Sequence, residues 1–295
     1  MSKSRNLKYQ FMNCIQKNFK ENLNKHSIKQ TGKSGSEIFS YSQRKNLIDL
    51  SANFSNWMKE THPDIRQVNQ ITFDHVQEFL NSKRANCSQA TLEQYQAQFN
   101  KLQNLVNDTY KTNVNYHTSK ILSTKNGGGK LRTDMLSKEN YNKLMNNSTN
   151  QNFKNALELS QHFGLRTSEC SKAKGCDFKS DGLHIIDSKG GRSRVVPYET
   201  KEQLTLKEKF ENMRRICSCK AASLEQAFRR EKIKNNISSA SDFHSSRKSY
   251  ATERFQEYRK QGLSVQQSLD RVSNNLGHGS NRDDLMKEYI CCPIQ

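Results

Sequence analysis

Proline is nearly missing from this chain, with three among 295 residues, and tryptophan occurs once. So few helix breakers leave long helices unobstructed, and an apolar fraction of only 33% points to a mostly helical protein with a polar surface. Long apolar runs are missing too. Nothing approaches the roughly eighteen consecutive apolar residues that a membrane-crossing helix requires, and MSKSRNLKYQ at the start is followed by no apolar signal core. These absences predict a cytosolic protein with no membrane partner. Cysteine is present at Cys14, Cys87, Cys170, Cys176, Cys217, Cys219, Cys291 and Cys292, but never as C-x-x-C and never with histidine at metal-binding spacing. Reduced thiols are expected, with no disulfide framework and no metal site. Acidic residues are in short supply: 29 Asp and Glu face 48 Lys and Arg, a formal net charge of +19. That bias favours a polyanionic partner, nucleic acid ahead of an acidic membrane surface.

A chain of 295 residues is long enough for two domains, each with its own core. Residues 1–40 are rich in Lys, Asn and Ser, and KQTGKSGSE reads as a joint, so a basic flexible arm is expected there. From residue 41 the pattern turns helical. Leu47, Leu50, Phe54 and Trp57 recur at three- and four-residue steps; Val76, Phe79 and Leu80 follow Thr72; and Ser88 can cap a helix carrying Leu92, Tyr95, Phe99, Leu102 and Val106. This predicts an all-helical module over 41–112. The stretch 113–134, ending in the Gly- and Lys-rich STKNGGGKLRTD, reads as a linker, and a second domain spans 135–295.

In that second domain Ser137 is placed to cap a helix running through Met145, and another helix from Phe153 to Phe163 is stopped by Gly164. LHIIDSKGGRSRVVP then reads as strand, turn, strand, with Gly190 and Gly191 in the turn. Helices are predicted over 203–217, 222–234, 244–260 and 264–276, with a short last one carrying Asp283 to Tyr289. The expected fold class is therefore mainly α with one small β-hairpin.

Six polar residues lie near the ends of these elements: Arg166, Lys189, His244, Arg247, His278 and Tyr289. The combination suits a phosphate. Guanidiniums clasp non-bridging oxygens with a planar fork, a lysine can reach a leaving oxygen, imidazoles can move protons, and a phenol flanked by cations can attack. Phosphoryl transfer asks mostly for positioning and positive charge, which side chains can supply without a metal. Taken singly each has a plainer reading: Arg166 and Arg247 as ion-pair partners of Glu169, His278 as a helix cap, Tyr289 as a packing residue.

In order, GLRTSE, SKGGRSR, HSSRKSYAT and LGHGS with a downstream tyrosine resemble the catalytic domain of the tyrosine recombinases, or phage integrases, over roughly 135–295. The module at 41–112 resembles that family's helical, SAM-like core-binding domain. The resemblance implies that Tyr289 attacks a DNA phosphodiester to give a 3′-phosphotyrosyl link, that Arg166 and Arg247 hold the scissile phosphate, and that Lys189 protonates the leaving 5′-oxygen. It implies that His244 and His278 contact the phosphate and assist proton transfer, with Glu169 supporting Arg166 from behind. Arg192, Arg194 and Lys248 are expected to contact DNA phosphates. No cofactor, metal or ATP is implied. The implied partners are double-stranded DNA sites, a homodimer on each site, a homotetramer in synapsis through a Holliday junction and an accessory excision factor, in a bacterial cytoplasm at the nucleoid. Integration or excision of a mobile element is the leading expectation. Dimer resolution, topoisomerase-like relaxation and a non-catalytic architectural DNA-binding protein stay open beside it. Two departures stand out: His278 and Tyr289 are eleven positions apart rather than about nine, and Ser245-Ser246-Arg247-Lys248-Ser249 replaces the usual Asp-Leu-Arg-His-Thr.

Overall fold

A computed structural model describes residues 6–21, 28, 37–125, 134–188 and 192–294. The chain separates into two compact units that divide between Leu131 and Arg132.

Among its described residues the N-terminal unit contains the α-helices α1 (Leu7–Lys17), α2 (Tyr41–Thr61), α3 (Phe73–Ser82) and α4 (Gln89–Tyr110). The starts of α1, α2 and α4 are each set locally by a capping side chain. Asn6, Ser40 and Ser88 accept from the backbone N–H groups of Tyr9, Gln43 and Thr91, satisfying donors that the first helical turn leaves unpaired. The core is aromatic. Phe54 of α2 meets Phe79 of α3 and Phe99 of α4 edge-to-face, at ring-centroid separations of 5.1 and 5.0 Å, and Phe11 of α1 closes the cluster at 6.3 Å. Such tilted contacts add to the burial of the rings themselves.

Two expectations change in this unit. The flexible arm does not hold for residues 7–17, where Leu7, Phe11, Cys14 and Ile15 fall at helical spacing and are buried against α2 and α4. The linker also starts later than expected. Val114, Tyr116, Thr118 and Ile121 are buried, and the Tyr116 hydroxyl donates to the Val68 carbonyl at 2.7 Å. Their near-alternate spacing is the signature of an extended segment lying on a core, so 114–121 belongs to the helical unit.

The C-terminal unit contains α5 (Lys138–Asn147), α6 (Gln151–Phe163), the single turn α7 (Thr167–Cys170), β1 (Leu183–Ile185), β2 (Arg194–Val196), α8 (Lys201–Phe210), α9 (Ala221–Lys234), α10 (Phe243–Lys260), α11 (Val265–Asn275) and α12 (Asp283–Tyr289). The strands pair antiparallel, Leu183 opposite Val196 and Ile185 opposite Arg194. The mainly helical class with one hairpin is thus as expected. The turn residues Lys189, Gly190 and Gly191 lie outside the described residues. The helix expected over 203–217 ends at Phe210, and the chain continues irregularly to the start of α9. At the centre lies α10. It packs on α6, α11 and α12, and Ser245 through Thr252 are buried without a break, which explains why this helix shows no amphipathic stripe. Among the described residues no helix is long and apolar enough to cross a membrane.

Candidate active site

α6 ends at Gly164, whose φ of +64° places it in the left-handed region. A Cβ there would lie 2.6 Å from the Tyr250 ring and 2.8 Å from Leu276, so only glycine fits both the conformation and the space. Two residues on, Arg166 opens α7 and presents its guanidinium beside the helix turn. Glu169, three positions later, accepts from the Arg166 backbone N–H at 2.9 Å and from Arg166 Nη1 at 2.8 Å.

Glu169 is the anionic hub of the site. Arg194 grips it with both terminal nitrogens, Nη1 to Oε1 at 3.0 Å and Nη2 to Oε2 at 2.8 Å, Ser188 Oγ donates to Oε1, and Arg247 Nη1 stands 4.0 Å away. Burial alone would raise this carboxyl, but the hydrogen bonds and charge of Arg194, the charge of Arg247 and the Ser188 hydroxyl outweigh it and hold Glu169 well below the usual carboxylate range. It is therefore ionised. One carboxylate is thus surrounded by three guanidiniums, leaving an excess of positive charge suited to a phosphodiester.

His244 and Arg247 share one face of α10 by their i, i+3 spacing. Arg247 is fully buried. It donates to the Gly164 carbonyl through Nη1 and to the Leu276 carbonyl through Nη2, the latter at 2.6 Å. Burial first, and then repulsion from Arg166, lowers its pKa to about 10, so it remains cationic at neutral pH. His278 follows α11. Its Nε2 lies 3.2 Å from Arg166 Nη2 and 3.3 Å from Arg247 Nη2. Guanidiniums only donate, so Nε2 accepts and carries no proton. Burial, reinforced by Arg247 and Arg166, lowers the pKa of His278 to about 3, which keeps this imidazole neutral.

Tyr289 closes α12 and lies within this cluster. Its ring centroid is 5.5 Å from Arg247 Cζ, 5.2 Å from the His244 ring and 5.4 Å from the His278 ring. It is 5% exposed. The structure therefore brings together Arg166, Glu169, His244, Arg247, His278 and Tyr289 from four separate stretches of sequence. Lys189 lies outside the described residues, one position beyond Ser188.

The three expected DNA contacts fare differently. Arg192 is exposed, with Nη1 3.4 Å from the His278 carbonyl. Arg194 does not face outward: its side chain is 8% exposed and is committed to Glu169 and to the Asn275 carbonyl, which Nε reaches at 2.7 Å. Strand alternation could have shown this, since Arg194 shares the inward face with buried Val196 while Val195 points out. Lys248 is likewise buried, because α10 is enclosed along that stretch. Sequence reading also missed Ser188, the Gly164 carbonyl and Asn275. Asn275 donates to the hydroxyls of Tyr250 and Tyr258 at 3.2 and 3.0 Å. Among the described residues no group of His, Cys, Asp and Glu is gathered as a metal ion would need.

No family model and no curated protein matches the sequence. Solved structures do resemble the fold. A lambda integrase (75–356) dimer bound to a COC′ core site aligns over 90% of this chain and 92% of its own, at 16% identity and a TM-score of 0.60. XerH site-specific recombinase bound to palindromic difH substrate in a post-cleavage complex aligns over 97% and 91%, at 16% identity and 0.61. A lambda integrase tetramer bound to a Holliday junction aligns over 96% and 80%, at 15% identity and 0.61. The shared architecture is that of the tyrosine recombinases.

Proposed function

We propose that this chain, which has the tyrosine recombinase fold, is a site-specific DNA recombinase that cuts and rejoins strands through Tyr289, and that it integrates or excises a mobile element. The observation that carries the reading is the placement of the Tyr289 ring against the Arg247 guanidinium with His244 and His278 beside it. A phenol attacks poorly at neutral pH unless a base takes its proton, and the His244 ring stands beside Tyr289.

In the proposed step a phosphate oxygen accepts from Arg166 and Arg247 in place of His278 Nε2. The phenolic oxygen of Tyr289 forms a bond to phosphorus, its proton passes to an imidazole, and the bond to the 5′-oxygen breaks. Lys189 gives that oxygen its proton. The phosphotyrosyl ester conserves the energy of the broken ester, so a 5′-hydroxyl from a partner strand reverses the step without ATP. Protomers act in pairs on inverted half-sites and in fours at synapsis, as the solved dimer and tetramer of lambda integrase suggest for this fold.

The test uses duplexes with a randomised core, first selected for binding to the full chain and then nicked as suicide substrates. The expected product is an SDS-resistant, protease-sensitive adduct mapping to Tyr289, lost in Tyr289→Phe while gel retardation of DNA persists. Retardation with no adduct from the unaltered protein would favour an architectural DNA-binding role, and an adduct that survives in Tyr289→Phe would remove this residue as nucleophile.

A further inference from the structure

Arg194 commits all three of its guanidinium nitrogens to acceptors within the protein. Its side chain is 8% exposed, and its nitrogens are spent inward, two on Glu169 and Nε on the Asn275 carbonyl. Those partners lie on different elements. Glu169 sits on α7 with Arg166; Asn275 ends α11, three positions before His278; and Arg194 itself begins β2. One planar group therefore ties the segments that carry Arg166 and His278 to strand β2. The backbone beside it is shaped to its presence. Gly277 adopts φ +75°, and a Cβ there would come within 3.0 Å of Arg194 Cδ and Nη1, so the loop leading to His278 runs directly against the guanidinium.

We infer that Arg194 is a positioning residue of the strand-transfer site, fixing Glu169 and the Asn275–His278 segment so that Arg166 and His278 converge on one phosphate without Arg194 touching DNA. The inference rests on the recombinase reading above. A lysine cannot replace the group, because a single ammonium cannot span a carboxylate in bidentate fashion and a carbonyl on another element at once. After burial, the charges of Arg247, Arg166, Arg282 and Arg194, in that order, keep His278 neutral, so loss of Arg194 carries a signature in pH as well as in rate.

The experiment compares the full chain with Arg194→Met and Arg194→Lys on the selected suicide substrate, measuring adduct formation in a single turnover across pH, together with DNA retention across salt. For Arg194→Met the expected outcome is retention within about twofold and an unchanged salt slope, since no phosphate contact is lost. Cleavage is expected to slow by roughly 100-fold, the scale of a misplaced reacting group. The acid limb of the rate profile should move to higher pH, because removing a cation lets His278 accept a proton more easily. Arg194→Lys should slow cleavage by about tenfold, and it carries the test if the methionine variant does not fold. A merely structural role would reduce the active fraction and leave the pH profile in place. An unchanged profile, or a shallower salt slope with an unchanged rate, overturns the inference. Absence of any adduct from the unaltered protein instead removes the recombinase reading, so the two failures are distinguishable.

Discussion

In the N-terminal unit the side chains withdrawn from solvent are Phe11, Phe54, Phe79, Phe99 and their aliphatic neighbours, with Ser51, Ser55 and Thr118 the buried polar exceptions among its described residues. The C-terminal unit encloses Glu169, Arg247 and Lys248 as well as its apolar core. Burying a charge opposes folding unless it is paired and hydrogen-bonded. The first unit therefore owes its order to apolar contact, whereas the second carries an ionic cluster that apolar packing does not account for. Proteins depart from the rules of good packing mostly where they act, and the contrast alone would direct attention to the region around Glu169.

The strongest way to break the contrast is Glu169→Gln. It leaves three guanidiniums facing a neutral amide, and removing one partner of a buried ionic set costs about 3–5 kcal/mol. The loss should appear as faster amide hydrogen exchange in α6, α7 and α10 with α2 to α4 unaffected; protection unchanged in both units would show that the carboxylate is dispensable. The converse change, Phe54→Ala, empties the centre of the aromatic cluster at a cost of about 3–4 kcal/mol. It should loosen α2 to α4 and leave the pH behaviour of the other unit as it was.

Acid sharpens the comparison with a smaller effect. His278 is held at about 3 against an ordinary 6.5, so between those values the unfolded chain takes up a proton that the folded unit refuses, and stability falls as pH falls. Glu169 acts in the same direction lower down: its depressed pKa gives a contribution present above the unfolded carboxylate value and lost as pH drops through the folded one. Melting curves should therefore show the C-terminal unit weakening from about pH 6.5 downward. His278→Asn should flatten the upper part of that slope; an identical slope in the variant would remove the histidine as its source.

Much of this was legible in the sequence, for reasons that differ by element. α3 announces itself through apolar spacing, α4 through its capping serine and apolar spacing, and the hairpin through alternation around paired glycines. The candidate site was legible as an ordered set of rare residue types at element ends. What stayed hidden was direction. Arg194 and Lys248 look like any surface cations in a chain of charge +19, and only the enclosure of α10 and the pairing of β2 turn them inward. The helix at Leu7–Lys17 was masked by its basic, polar surroundings, although Leu7, Phe11, Cys14 and Ile15 repeat at the proper interval. In each case local pattern was present and tertiary context decided which way it faced.

Gly164 illustrates how little room such an arrangement leaves. Its carbonyl anchors Arg247, its backbone turn ends α6, and the face where another residue would carry a side chain is filled by Tyr250 and Leu276. Three demands coincide on a position with no chemistry of its own. In any collection of randomised variants selected for a folded C-terminal unit, this position should come back as glycine every time.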